Sequence, residues 1–434
     1  MNFFHSVITP RLFFFLLFGG VFLLTALYYS TDVDYSRSPI ASSEKASATP
    51  VHLLKGTSTG VSLVPQIAVT HIMPPVPLKG AYMTSCIASG KKLRAPMVKL
   101  LNATELNAVI IDIKDFTGMV SIDTGDSRFV INTNGCDIPD IKEFITELHD
   151  KGIYVIGRVT VMQDQVYTKA HPSAAVKRKS DGASWKDKKG LMFVDPGATE
   201  YWQYMVDLGQ VSYDLGFDEI NYDYIRFPSD GDMANALFTR TGSSTKAATM
   251  KRFYQFLGAK MRAKQIPISA DLFGMTTTNY DDLGIGQVLE DALLEFDYVA
   301  PMVYPSHYPR GFNGWKDPNL VPYELIKFVM SKGVARANLL EQKESGWIAP
   351  IVATSTATST TKTPQPRFVS TGKYAKKLRP WIQDFSYGKV YTEVDVRAQK
   401  KGTYDSGLTS WMSWDPKNKY TTSAYDLVTP AHAN

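Results

Sequence analysis

Eight short apolar runs, rich in β-branched and aromatic residues, recur from Leu78 onward, and segments of helical period or composition separate them. The strand candidates are residues 80–84, 108–115, 154–162, 218–227, 267–275, 297–305, 378–385 and 407–415. Of the separators, residues 138–151 open with Pro139 after Asp137 and are amphipathic, 199–215 follow a Pro-Gly turn, and 246–265 are long and basic; 285–296 and 322–332 complete the set. Strand–helix alternation implies parallel strands joined by right-handed crossovers. Eight such units close naturally into an α/β fold of the (β/α)8 TIM-barrel type. A doubly wound open sheet is the rival. No G-x-G-x-x-G or G-x-x-x-x-G-K-[ST] follows the first strand, so nothing marks a dinucleotide or P-loop site.

Residues 12–29 read LFFFLLFGGVFLLTALYY without a charge; Arg11 precedes them, and Asp32 and Asp34 follow. At about 1.5 Å rise per residue, such a run approaches the ~30 Å hydrocarbon core of a bilayer. Residues 1–30 are therefore expected to form a single transmembrane helix or signal anchor, with the remainder extracytoplasmic. A cleaved signal peptide is the alternative; no clean A-x-A site follows, and the run exceeds the ~7–15 residues of an h-region. Residues 31–74, rich in Ser, Thr and Pro, read as a flexible tether, and 75–430 as the barrel. Within 345–368 the stretch ATSTATSTTKTPQP (353–366) reads as a disordered insertion between the sixth helix and the seventh strand, so it interrupts one barrel at its bottom face. Residues 163–196, after the third strand, belong to the top face as a candidate wall or lid. With 47 basic and 42 acidic side chains, the net charge of +5 is too mild to make nucleic acid the main partner. Cys86 and Cys136 allow one bridge at most, and the spacing leaves its existence open.

Chemistry in such barrels sits at the C-terminal strand ends. Here those ends carry Asp112, Lys114 and Asp115 (second), Arg158 (third), Asn221, Asp223 and Arg226 (fourth), Asp271 (fifth), Tyr304 and His307 (sixth), Asp384 (seventh), and Trp411 and Trp414 (eighth). Period two places Asn221 and Asp223 on one face and Ile220, Tyr222 and Tyr224 on the other. Carboxylates are rarely buried unless paired or functional, so several converging on one mouth signal a site. Plain structural readings stand beside this one: Asp223 pairing with Arg226 or Arg158, Asp112 with Lys114, Asp115 capping a Phe-Thr-Gly turn, His307 as a mouth or surface residue, and Trp185, Trp411 and Trp414 as packing residues. The lysines at 177–179 and 186–189 read as solvated loop charges.

The ordered segments GAYMTS, LNAVIIDIKD, GFDEINYDYIRFPSDG, ISADLFG, VAPMVYPSHY, LRPWIQDF and WMSWDP resemble the glycosyl hydrolase domain family once known only as a domain of unknown function, over residues 78–427. The resemblance implies a TIM barrel related to α-amylase-like glycosidases. It implies Asp223 as nucleophile, Asp271 as acid/base and Asp384 as transition-state stabiliser, because glycoside hydrolysis uses two carboxyl groups flanking the scissile bond. Asp112, Asp115, Arg158, Asn221, Arg226, Tyr304, His307, Trp411 and Trp414 are the candidate substrate-binding residues. The expected partner is a cell-envelope or extracellular polysaccharide, with the membrane engaged through the N-terminal helix. A barrel that binds glycan without cleaving it is the alternative. Metal catalysis has little support: the histidines His5, His52, His71, His149, His171, His307 and His432 form no H-x-H or H-E-x-x-H. No cofactor is expected, and Asp384-Phe385-Ser386-Tyr387-Gly388 is a poor phosphate cradle.

Overall fold

The computed structural model describes residues 68–348 and 367–428. Eight parallel strands close into a barrel in chain order: β1 (Lys79–Met83), β2 (Ala108–Lys114), β3 (Tyr154–Thr160), β4 (Glu219–Asp223), β5 (Ile268–Phe273), β6 (Tyr298–Met302), β7 (Trp381–Gln383) and β8 (Trp411–Trp414), with β8 pairing back onto β1. Helices follow seven of them: α1 (Lys91–Ala103), α2 (Ile141–His149), α3 (Thr199–Asp214), α4 (Lys246–Ala263), α5 (Leu289–Glu295), α6 (Pro322–Glu344) and α7 (Glu393–Asp405). After β8 the described chain forms a short 3₁₀ turn, Thr422–Ala424. The described residues 68–342 and 367–428 belong to the compact unit that holds the barrel; of the second unit only 343–348 are described.

All eight strand candidates are present, somewhat shortened. α1 and α7 escaped the sequence reading for a physical reason. α1 opens with two lysines and carries Pro96 in its interior, while α7 carries Gly402; each weakens the helical signal. Gly402 is there for close approach, since a Cβ would sit 2.8 Å from the Tyr323 carbonyl of α6. α7 is secured by a capping box between Thr392 and Asp395, and α6 runs twelve residues beyond the expected end at 332.

Alternation divides the barrel as period two requires. Tyr82, Ile110, Ile156, Ala300, Trp381 and Met412 pack together in the interior. Tyr222 faces the helix layer instead, its hydroxyl donating to the Met205 carbonyl of α3 at 3.4 Å. α3 comes this near because of Gly209, where a Cβ would lie 2.4 Å from that hydroxyl. Cys86 and Cys136 are disulfide-bonded, tying the turn after β1 to the loop after β2. Among the described residues no helix is long and apolar enough to cross a membrane. The expected anchor at 12–29, the tether up to residue 67 and the Ser/Thr segment 353–366 lie outside the described residues. The described flanks of that segment are α6 and β7, as expected of an αβ connection.

Candidate active site

A cavity of about 1070 Å³ opens at the C-terminal ends of the strands. Its acidic wall is Asp223 at the end of β4, Asp384 after β7 and Asp415 after β8. Its aromatic wall includes Tyr224, Phe273, Tyr304, His307, Phe385 and Trp414, and Arg158, Arg226, Lys417 and Lys419 supply cations. A volume of this order suits several sugar rings, and apolar walls with a few converging polar groups are typical of ligand sites.

β4 ends abruptly. Tyr224 takes φ +53°, a left-handed conformation unusual for a bulky residue, and its N–H donates to Asp223 Oδ1 at 2.5 Å. Such an outlier costs of order 1–3 kcal/mol and concentrates at functional sites. Here it turns Tyr224 into the cavity wall and fixes the Asp223 carboxylate. The other Asp223 oxygen pairs with Arg158 Nη2. Arg158 also donates to Asp112 Oδ1 at 2.6 Å, and its Nε lies 3.9 Å from Asp271 Oδ2. Asp112 accepts from the Tyr82 hydroxyl as well. Burial works against the Arg158 charge, but Asp223 and Asp112 more than offset it and raise its proton affinity above the ordinary arginine value.

Asp271 lies beneath this layer and does not itself line the cavity; its side chain is 1% exposed. Oδ1 accepts from Trp381 Nε1 at 2.8 Å and Asn221 Nδ2 at 2.9 Å, while Oδ2 has no hydrogen-bond partner. Burial, reinforced by the charge of Asp223, pushes its carboxyl up to about 8. Arg158 Nε and Asn221 Oδ1 are unpartnered in the same floor. Asp384 is also raised by burial, although Thr421 N (2.9 Å), Thr421 Oγ1 (2.6 Å) and the Tyr425 hydroxyl (2.7 Å) all donate to it. Burial lowers His307, whose Nδ1 lies 3.0 Å from Ser306 Oγ.

Of the sequence candidates, Asp223, Asp384, Arg158, Arg226, Tyr304, His307 and Trp414 line one cavity, and Asp271, Asn221 and Asp112 form its floor. Four expectations are corrected. Asp112 pairs with Arg158, not Lys114, because a register shift between Asp112 and Lys114 sends that lysine to Asp164 at 2.9 Å. Asp115 caps its own turn, accepting from Thr117 N at 2.8 Å, and stands apart from the cavity. Trp411 is fully buried against the helix layer, its Nε1 donating to the Tyr404 hydroxyl at 2.9 Å, so no glycan reaches it. Trp414, three residues on, faces inward and stacks on Tyr82 at 3.7 Å; the odd separation already places the two indoles on opposite faces. Residues 163–196 contribute nothing to the cavity lining, so they are not its wall. Trp185 is buried there as packing, donating to the Asp232 carbonyl at 2.8 Å. Of the residues the sequence reading missed, Phe273 was legible from its parity with Asp271 on β5, whereas Tyr82 and Trp381 lie on strands with no candidate of matching parity, and Lys417 and Lys419 lie in a loop with no pattern.

A family model described as "Putative glycosyl hydrolase domain" matches residues 80–361 and 351–420. Comparison with curated proteins gives no match. Among solved structures, the glycoside hydrolase domain of PgaB (BpsB) from Bordetella bronchiseptica superposes with TM-score 0.54 at 12% identity, over 82% of this chain and 100% of that one. Alpha-L-fucosidase isoenzyme 2 from Paenibacillus thiaminolyticus gives 0.50 at 11%, over 80% of this chain and 48% of that one. A hypothetical protein from Ruminiclostridium thermocellum is 27% identical over 47% of this chain and 98% of its own, with TM-score 0.39. The first two likenesses are ones of fold.

Proposed function

Because this chain belongs to the family described as "Putative glycosyl hydrolase domain", we propose that it is a glycoside hydrolase cleaving a cell-envelope or extracellular polysaccharide at the barrel mouth. The observation that carries this reading is the split between two neighbouring carboxyl groups: Asp223, ion-paired to Arg158 at the cavity wall, and Asp271 beneath it, pushed up to about 8. Glycoside hydrolysis needs one carboxylate and one carboxylic acid at the same pH, and unlike environments are how one fold supplies both. Asp223 is assigned the attack on the anomeric carbon. Asp271 is assigned the proton, delivered once sugar entry draws the Arg158 guanidinium aside; hydrogen bonds of this kind tighten only in the substrate complex. Asp384, fixed by Thr421 and Tyr425, is assigned stabilisation of the developing positive charge on the sugar ring. Trp414 on Tyr82 offers a stacking face.

The closure of Arg158 on both Asp112 and Asp223 favours a second reading, a barrel that binds glycan without cleaving it. Incubating the full chain with a polysaccharide panel separates the two. Hydrolysis releases reducing ends, and Asp223→Asn and Asp271→Asn each abolish that release; binding without release supports the second reading.

We further propose that residues 1–30 anchor the chain in a membrane with the barrel outside the cytoplasm. The uncharged run at 12–29 supports this, as does the Cys86–Cys136 disulfide, since such bonds persist in oxidising compartments. Protease added to intact cells digests the barrel on this reading and spares it if the barrel is cytoplasmic.

A further inference from the structure

Arg226 stands in the cavity wall without an acidic partner. Its Nη1 donates to its neighbour's carbonyl, Phe227 O, at 3.0 Å and to Ser229 Oγ at 3.2 Å, and among the described residues no carboxylate lies within ion-pair distance of it. The guanidinium lies over two rings, 5.1 Å from the centre of Tyr224 and 4.7 Å from that of Phe273. Both rings line the same cavity. Burial pulls its proton affinity below the ordinary arginine value. A guanidinium half-buried in an open cavity, with no counter-charge of its own, gains from an anion that enters beside it.

The nearby acids do not fill that role, because each is engaged elsewhere. Asp223 is taken by Arg158. Asp230 pairs with Lys188 Nζ at 3.1 Å. Asp187 accepts from the N–H groups of Lys189 and Leu191 at 2.8 Å each, and from Gln163 Nε2 at 3.3 Å. Lys417 and Lys419 line the same cavity and add positive charge to it. The two ring faces restrain the guanidinium beside the cavity, and its fork suits an anion that presents two oxygens.

We propose that Arg226 is a specificity-determining residue that receives an anionic substituent of the glycan, so that the substrate class is an acidic polysaccharide. This rests on the glycoside hydrolase reading for its site, though not for its test. A uronic acid carboxylate and a sulfate ester share the required chemistry.

The test is calorimetric binding by the full chain, as wild type and as Asp223→Asn to prevent turnover. The probes are oligosaccharides of matched length: an oligoglucuronan, a sulfated cello-oligosaccharide, the neutral cello-oligosaccharide, and a deacetylated chito-oligosaccharide of opposite charge. The expected result is that at least one anionic probe binds roughly tenfold to a hundredfold more tightly than the neutral one, as an added charge-assisted hydrogen bond provides. The anionic arm that wins identifies the source of the charge. Arg226→Gln erases the difference while neutral binding persists, and Arg226→Lys retains part of it. Equal or weaker binding of both anionic probes overturns the proposal, as does an undiminished preference in Arg226→Gln. Should Arg226→Gln fail to fold, the wild-type comparison and Arg226→Lys still decide. Acidic preference without released reducing ends would retain Arg226 and sink hydrolysis; hydrolysis confined to neutral glycans would do the reverse.

Discussion

Two buried aspartates, one at the bottom of the barrel and one beneath its mouth, show how differently one side chain is used. Asp218, just before β4 at the bottom, accepts from Ile72 N at 2.9 Å, Val155 N at 2.8 Å and His149 Nε2 at 2.8 Å, with His71 Nδ1 at 3.7 Å. Burial works against its charge, but these donors prevail and hold its carboxyl below the usual range. Asp271, in the middle of β5, has one oxygen satisfied and the other orphaned, and burial drives it the opposite way, to about 8. The bottom carboxylate is satisfied, and it clamps the segment entering the barrel onto β3 and α2. The mouth carboxyl is left wanting, and an unsatisfied buried group is tolerated where chemistry uses it.

The sharpest break of this comparison is in activity. Asp223→Asn should cut released reducing ends by roughly 10³-fold or more even in its folded fraction, as loss of a nucleophile does, and its melting temperature should fall with the loss of a counter-charge to buried Arg158. Asp218→Ala should affect stability alone. It removes one partner from a buried, fully hydrogen-bonded cluster, so urea titration should show a loss of about 3–5 kcal/mol, while kcat of the folded fraction is unchanged. Because the folded-state pKa of Asp218 is depressed, its stabilisation is complete above the ordinary carboxylate range and is lost as pH falls through the folded value. The gap between wild type and Asp218→Ala should therefore close in acid.

Asp271 has the opposite sign. Its folded pKa is raised from 3.8 to about 8, so folding takes up a proton and wild-type stability falls as pH rises across that window. Asp271→Asn lacks the penalty and keeps an acceptor for Trp381 and Asn221. Thermal melts should place it several degrees above wild type at pH 8 and level with it at pH 4. The smallest effect belongs to the stacking face: Trp414→Ala should raise KM roughly two- to tenfold with kcat nearly unchanged, as loss of an aromatic contact worth about 0.5–1.5 kcal/mol predicts.

Much of this architecture was legible in the chain. Strand–helix alternation located all eight strands, and parity placed Asn221 and Asp223 on the face opposite Tyr222. Two helices were hidden, one by Pro96 on its exposed face and one by Gly402, which lets α7 approach α6 closely. The partner of each charge was less legible, because a pair such as Arg158–Asp112 is set by register between strands and a local shift diverts Lys114 to Asp164. Parity would have separated Trp411 from Trp414. Nothing in the order of residues announces that Arg226, three positions after Asp223, leaves that carboxylate to Arg158 from another strand.

The claim underlying all of this is that Asp271 sits protonated beneath Asp223 at neutral pH. Infrared difference spectra between the full chain and Asp271→Asn test it directly. A protonated Asp271 gives a carboxylic-acid carbonyl stretch at pH 6 that the substitution removes and that disappears as pH passes about 8. A spectrum in which the substitution removes only a carboxylate band at pH 6 would contradict it, and with it the division of labour between the two carboxyl groups.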